Sequence, residues 1–256
     1  MKKEESTSSV LVSHLTAASC VAVLTGAGVS AESGIPTFRD PGGLWDRFKP
    51  EELANVRAFL RNPELVQQWY EHRRNVAREK VPNAGHVALA ELERLVDDFI
   101  LITQNVDDLH RRAGSSEIVE LHGNIMRSFC IDCEHPADDE VRMHAQADGG
   151  RLECRGCGGL IRPDVVWFGE MLPEVALEAA YAAAERADVF LSIGTSAVVY
   201  PAAGLPLHAK ESGAYVAEIN IGRSAIADSM DEVVLGKAGD VLPGLVERVK
   251  RNKPGV

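Results

Sequence analysis

Four short stretches of the chain are apolar almost without interruption: residues 20–25 (CVAVLT), 98–103 (DFILIT), 189–194 (VFLSIG) and 215–220 (YVAEIN). Runs of this length that are rich in β-branched residues and do not alternate with polar positions predict strands buried on both faces, as in a parallel sheet. Each follows a segment with helical periodicity: residues 8–18, residues 84–96, the Ala-rich stretch 174–186, and a further segment before 215. Helix followed by strand, repeated, predicts an α/β fold with a doubly wound, Rossmann-like parallel sheet.

Two stretches break the rhythm. Residues 41–80 are polar and helical in pattern, with Trp45, Phe48, Leu53, Phe59, Leu60 and Trp69 as apolar anchors, and residues 126–165 hold four paired cysteines within loop-like sequence. Both are expected to be insertions that build a smaller lobe, helical over 41–80 and zinc-binding over 126–165. The larger lobe is then expected from about 8–40, 81–125 and 166–250, all within one catalytic domain spanning 1–256.

Composition narrows this picture. With 256 residues, 45% of them hydrophobic, the chain can bury a full core, and its formal charge of -11 is opposite to the basic footprint that grips nucleic acid. A cationic protein segment suits the surface better than a phosphate backbone. No run of 18 apolar residues exists to span a bilayer, and the N-terminal MKKEEST is a poor leader, so a cytoplasmic protein without membrane or direct nucleic-acid partners is expected. Five cysteines are too few for a disulfide scaffold in a chain of this size.

Strand 20–25 runs into Gly26-Ala27-Gly28-Val29-Ser30-Ala31, which fits G-x-G-x-x-G/A after a strand. Glycines there allow a tight turn and close approach to a pyrophosphate, while the helix start offers unpaired N–H groups; a glycine turn without a ligand is the competing reading. In a dehydrogenase an acidic residue about 20 positions on, at a strand end, takes the adenosine ribose. Asp46 has that spacing but lies in Gly42-Gly43-Leu44-Trp45-Asp46-Arg47, which is no strand end. The loop is nucleotide-like without the second half of the hydride-transfer pattern.

Cys130-x-x-Cys133 and Cys154-x-x-Cys157 stand 20 residues apart, the spacing of a four-thiolate zinc ribbon. Such a site has no open coordination position and is structural; a redox dithiol is the alternative for either pair alone. Cys20, inside the first strand, reads as a core residue. Among eight histidines, His122 stands out because Leu121-His122-Gly123-Asn124 puts an imidazole on a loop near the polar cluster 104–108. A neutral imidazole accepts a proton at pH 7, as a general base must.

Five motifs in order, Gly26 to Arg39 (GAGVSAESGIPTFR), residues 103–110 (TQNVDDLH), residues 121–124 (LHGN), Gly194-Thr195-Ser196 and the cysteine pairs, resemble the sirtuins, NAD-dependent protein-lysine deacylases. The resemblance implies that the acyl oxygen of a substrate lysine attacks C1′ of the nicotinamide ribose of NAD+ and that nicotinamide leaves. His122 then deprotonates a ribose hydroxyl, and hydrolysis yields free lysine and O-acyl-ADP-ribose. It assigns Asn105 to the ribose and a catalytic water, Asp107 to the nicotinamide amide and Gln104 to the ribose, with Val106 in the same segment. Phe38 would shield the reacting face, Arg39 would lie near the phosphates, and Thr37 and Trp45 complete that side. Gly26, Ala27, Gly28 and Ser30 would serve the phosphates; Gly194, Thr195 and Ser196 phosphate and ribose; Asn220, Ile221, Gly222 and Ala238 the adenosine end. Asn105 and Asp107 could otherwise satisfy a turn. One structural Zn²⁺ on Cys130, Cys133, Cys154 and Cys157 is implied as well.

Tyr70 and Arg73, at i and i+3 of a helical pattern, can converge on one carboxylate. The competing reading is an amphipathic helix with the tyrosine packed and the arginine solvated. The pair, with Thr37 and the small Ala54, resembles the sirtuins that accept anionic acyl-lysines, implying succinyl and malonyl preferred and acetyl secondary. Residues 165–170 (VVWFGE) resemble the segment that pairs with an acyl-lysine peptide as an added strand, through Val166, Trp167, Phe168 and Gly169; Trp167 and Phe168 as plain core residues are the alternative. Mono-ADP-ribosyl transfer to protein would use the same NAD residues, and an NAD-sensing module would need no base at His122.

Overall fold

A computed structural model describes residues 9–37, 53–137 and 151–253. Six parallel strands form the main sheet: β1 (Cys20–Thr25), β2 (Asp98–Thr103), β3 (Ile118–Glu120), β6 (Val189–Ile193), β7 (Tyr215–Asn220) and β8 (Glu232–Leu235), in spatial order β3-β2-β1-β6-β7-β8. The chain starts at the centre, winds outward through β2 and β3, then returns to the other side of β1. That reversal makes the sheet doubly wound and opens a crevice beyond the carboxyl ends of β1 and β6.

The continuous apolar runs follow from cover on both faces. Val21 and Val23 of β1 point into a core with α1 (Ser9–Ala17), α5 (Ala84–Glu93) and α9 (Ala238–Asn252), through Leu11, Leu15, Leu89, Leu92, Leu242 and Leu245. Ala22 and Leu24 point the other way, onto α7 (Glu174–Arg186) and α8 (Leu205–Glu211), where Ala180, Ala183, Ala184 and Leu205 are fully buried. All six residues of β1 are buried, so a polar alternation there would leave unpaired groups in one core or the other.

Among the described residues, the second lobe is built from α3 (Val56–Arg61), α4 (Pro63–Glu79) and the antiparallel hairpin of β4 (Gly123–Cys130) and β5 (Ile161–Val165). The Asn55 and Asn62 side chains cap the two helices by accepting the N–H groups of Ala58 at 2.9 Å and Leu65 at 3.3 Å, and Pro63 occupies a first-turn position of α4, where its missing N–H costs nothing. Leu53, Phe59, Val66, Trp69, Tyr70 and Trp167 form its core. Leu60 corrects the expectation that it anchors this lobe: Ala58 and Phe59 take the inward face of α3, and Leu60 is 58% exposed on the next position round. Trp45 and Phe48 lie outside the described residues.

The lobe is tied to α4 by two buried side chains. The Gln67 amide donates to the carbonyls of Leu152 and Ile161 at 3.0 and 2.8 Å and accepts the Leu152 N–H at 3.0 Å. One side of Arg74 donates to the Ile125 carbonyl at 2.6 Å and to Ser128 Oγ at 2.9 Å. Tyr70 and Arg73 lie between these two anchors. Among the described residues no helix is long and apolar enough to cross a membrane.

Candidate active site

Sheet register assembles the site. Thr25 lies level with Thr103 on one side and Ile193 on the other, so the residues that follow them, Gly26, Gln104 and Gly194, meet at one edge. There the chain interlocks. Gly26 N–H donates to the Ile193 carbonyl at 3.0 Å and Gly28 N–H to the Gly194 carbonyl at 2.8 Å. A Cβ at Gly28 would stand 2.8 Å from the Gly194 oxygen and 2.9 Å from its Cα, and Gly194 itself has φ +60°. These glycines are needed for backbone-to-backbone contact as well as for any pyrophosphate, a requirement the loop pattern alone does not reveal. They open α2 (Ala27–Ala31).

Above this edge is a cavity of about 720 Å³ running between the lobes. Gly26, Ala27, Gly28, Thr37, Gln104, Asn105, Val106 and His122 line it together with Gly194, Thr195 and Ser196, and Asn220, Ile221, Gly222 and Ala238 continue the wall. Ala54, Tyr70, Arg73, Val166, Trp167, Phe168 and Gly169 line the other end. Ser30 and Asp107 are buried one layer behind the wall. Phe38, Arg39 and Trp45 lie outside the described residues.

His122 follows β3 and precedes β4. Its Nδ1 lies 2.9 Å from the Gln104 carbonyl oxygen, which can only accept, so Nδ1 carries the hydrogen and Nε2 keeps its lone pair. Burial holds its pKa below the ordinary 6.5, opposed by that same backbone bond. The imidazole is therefore neutral at pH 7 and competent as a base at Nε2. Gly123 behind it has φ +77°, and a Cβ there would strike the Asp164 carbonyl at 2.2 Å, so the His-Gly step lets β4 start flush against β5.

Asn105 is held by a network. Its Nδ2 donates to the Gly26 carbonyl at 3.0 Å and to Ser30 Oγ at 3.2 Å, and its N–H donates to Thr103 Oγ1 at 3.0 Å, leaving Oδ1 as an acceptor on the cavity side. Gln104 Nε2 donates to Thr195 Oγ1 at 3.1 Å, and Asn220 Nδ2 to the Thr195 carbonyl at 2.9 Å, which joins the ends of β2, β6 and β7. Asp107 accepts the Leu109 N–H at 3.0 Å, and burial raises its pKa.

At the other end, Tyr70 and Arg73 share the inner face of α4. Tyr70 is 2% exposed, and the Arg73 guanidinium carbon lies 4.7 Å from the Trp69 ring centre and 5.4 Å from that of Tyr70. Burial lowers the Arg73 pKa, opposed by the Tyr70 phenol and by Asp107. Trp167 is buried with Tyr70, whereas Phe168 is half exposed at the cavity.

Residues 26–201 match the family model described as Sir2 family. The chain belongs to the Sir2 family. An NAD-dependent protein deacylase 2 of Pyrobaculum aerophilum is 53% identical over 238 residues, covering 91% of each chain. The solved Sir2 homolog–NAD complex is 46% identical with a TM-score of 0.86, covering 95% of this chain and 94% of that one. A solved Sir2–p53 peptide–NAD+ complex is 33% identical with a TM-score of 0.85, covering 95% and 98%. The Rossmann-like fold expected from the helix–strand rhythm is that of this Sir2 family.

Sirtuins require NAD+, and the cysteines of this Sir2 protein suit the structural metal. The Sγ atoms of Cys130, Cys133, Cys154 and Cys157 all lie within 4.8 Å of one another, with separations of 3.5 Å for Cys130–Cys157, 3.4 Å for Cys133–Cys157 and 3.8 Å for Cys133–Cys154. Zn–S bonds of about 2.3 Å in a tetrahedron set S···S edges near 3.8 Å, whereas a disulfide needs about 2.05 Å. The set fits one structural zinc. Cys20 is buried in β1 beside Asp98, away from this cluster.

Several wall residues of this Sir2 site carry no loop-pattern signal. Glu32 lines the cavity, and its Oε2 accepts the Gly239 N–H at 2.8 Å, satisfying the uncapped start of α9. Arg223, Lys237 and Tyr200 also line the cavity. Their contribution depends on loops that sequence spacing does not position.

Proposed function

We propose that this protein removes acyl groups from protein lysines with NAD+ as co-substrate, preferring succinyl and malonyl over acetyl, and releases nicotinamide and O-acyl-ADP-ribose. The observation that carries the reading is that Tyr70 and Arg73 occupy the same cavity as His122 and the glycine edge. A phenol O–H and a guanidinium beside Ala54, Val166 and Trp167 meet the needs of an acyl chain that ends in carboxylate. Ala54 supplies width there.

The co-substrate is read as lying along the carboxyl ends of β1, β2, β6 and β7, with its phosphates at Gly26–Gly28 and Gly194–Ser196. The adenosine would lie by Asn220–Gly222 and Ala238. The substrate's acyl oxygen bonds to the ribose C1′ as the C1′–nicotinamide bond breaks. His122 Nε2 takes the proton of a ribose hydroxyl, whose oxygen then bonds to the former acyl carbon. Water completes release of the amine. Asn105 Oδ1 orders the ribose or water, and Asp107 holds the nicotinamide side. No side-chain nucleophile is needed. The peptide is read as running along 165–170; because such pairing uses backbone groups, weak dependence on peptide sequence follows.

Replacing Tyr70→Phe together with Arg73→Met tests this. Hydrogen bonds to charged groups contribute about 1.5–3 kcal/mol, so the KM for a succinyl-lysine peptide is expected to rise roughly ten- to 150-fold with a far smaller change for the acetyl-lysine peptide. Equal effects on both peptides overturn the charged-acyl reading. ADP-ribosylated protein in place of O-acyl-ADP-ribose overturns the deacylase reading.

A further inference from the structure

The acyl end of the cavity contains an indole whose hydrogen bond determines what the Tyr70 hydroxyl can do. Trp167 Nε1 lies 2.9 Å from the Tyr70 oxygen, and an indole N–H can only donate. The Tyr70 oxygen is therefore the acceptor, and its own hydrogen cannot be given to Trp167. The neighbouring Arg73 guanidinium is likewise a donor without acceptor capacity. Among the described residues Tyr70 donates to no partner, which leaves the phenolic hydrogen to the cavity.

The indole is itself clamped. The Arg162 guanidinium carbon stands 3.7 Å from its ring centre, and Phe59 packs at 5.1 Å. The Trp167 backbone N–H donates to Glu170 Oε2 at 2.7 Å, and Glu170 accepts from both terminal Arg162 nitrogens, at 2.6 and 2.9 Å. Arg162 also donates to the Val165 carbonyl at 2.9 Å, so the same pair that grips the ring holds the backbone on either side of it. The donor direction of Trp167 is thus set by Arg162, Glu170 and Phe59.

We propose that Trp167 is a positioning residue for acyl selection: its indole N–H fixes the Tyr70 oxygen as an acceptor, so that the phenolic hydrogen meets an acyl carboxylate alongside Arg73. The arrangement discriminates in both directions. A carboxylate satisfies the waiting donor, whereas an acetyl methyl leaves a buried O–H without an acceptor, which is costly. The inference rests on the charged-acyl reading above and adds to it the residue that orients its phenol.

The test is a double-mutant cycle. The ratio of kcat/KM for succinyl- over acetyl-lysine peptide is measured in the wild type, Trp167→Phe, Tyr70→Phe and the double variant, with Tyr70→Phe/Arg73→Met alongside. Trp167→Phe keeps a ring for Arg162 and removes the N–H. The ratio is expected to fall about three- to tenfold in Trp167→Phe, the range of one neutral hydrogen bond, and to be unmoved by the same change in the Tyr70→Phe background. An equal fall in both backgrounds, or none in the first, overturns the role of Trp167. A wild-type ratio in Tyr70→Phe/Arg73→Met instead overturns the charged-acyl reading and this inference with it. Should Trp167→Phe not fold, benzothienylalanine at the same position, with sulfur in place of the N–H, reports the same ratio.

Discussion

Two neutral histidines lie behind the nucleotide edge and make the fold acid-sensitive in a calculable way. His86 is fully buried: its Nδ1 accepts the Asn83 N–H at 3.3 Å, its Nε2 lies 3.4 Å from Ser30 Oγ, and its ring is 4.7 Å from that of His110. Burial pushes its pKa down to about 4. In the unfolded chain an imidazole titrates near 6.5, so below that pH the unfolded state takes up a proton that the folded state refuses. Stability from this group is fully present above about pH 6.5 and is lost as pH falls toward 4. Between pH 7 and 5.5 the loss is on the order of 1 kcal/mol for His86 alone. His110, lowered by burial and by His86, adds in the same direction, while the raised pKa of buried Asp107 acts in the opposite sense. A His86→Gln variant isolates the term, because glutamine at the third helical position can also serve the capping box at Asn83. Urea denaturation of both proteins at the two pH values, with zinc present, gives the comparison. The wild type is expected to lose on the order of 1 kcal/mol more than the variant over this interval. Parallel losses would refute the assignment of a depressed pKa to His86.

Three further outcomes are expected. Because the pKa of His122 lies below 6.5, its proposed role as the base in the neutral form requires kcat/KM to stay level from pH 8 to about 6.5 and fall only below that; an acid limb centred above pH 7 would contradict it. Gly28→Ala drives a Cβ to within 2.8 Å of the Gly194 backbone, so a loss of about 1–3 kcal/mol is expected, seen as a thermal midpoint several degrees lower; an unchanged midpoint would contradict the interlock. Extraction of zinc should release one ion per chain and, through Gln67 and Arg74, loosen α4, lowering the succinyl-to-acetyl ratio in step with metal loss; a metal-free protein with the full ratio would contradict that coupling.

The main sheet was legible wherever a strand is buried on both faces. Residues 20–25, 98–103 and 215–220 coincide with β1, β2 and β7, because two apolar layers demand an unbroken apolar run. β3 and β8 were not marked as strands: they are three and four residues long and form the two edges, where one flank carries no partner to impose the pattern. The β4–β5 hairpin was hidden by Asn124, Arg127 and Ser128 and by an irregular register between Gly123 and Ser128. The site was legible to the extent that its residues follow strand ends, which is why Gln104, Asn105 and Gly194 stood out. The bond from Trp167 to Tyr70 spans 97 residues of sequence, so no local pattern carries it.

The products formed from NAD+ and two competing peptides distinguish the proposed activity from its alternatives. The purified protein is incubated with NAD+ and equal concentrations of succinyl- and acetyl-lysine peptide, and the mixture is followed by mass spectrometry. Free lysine peptide and nicotinamide are each expected to equal the sum of the two O-acyl-ADP-riboses, with O-succinyl-ADP-ribose in excess over O-acetyl-ADP-ribose. Acetyl product in excess, or nicotinamide release with ADP-ribose left on protein, would contradict the account.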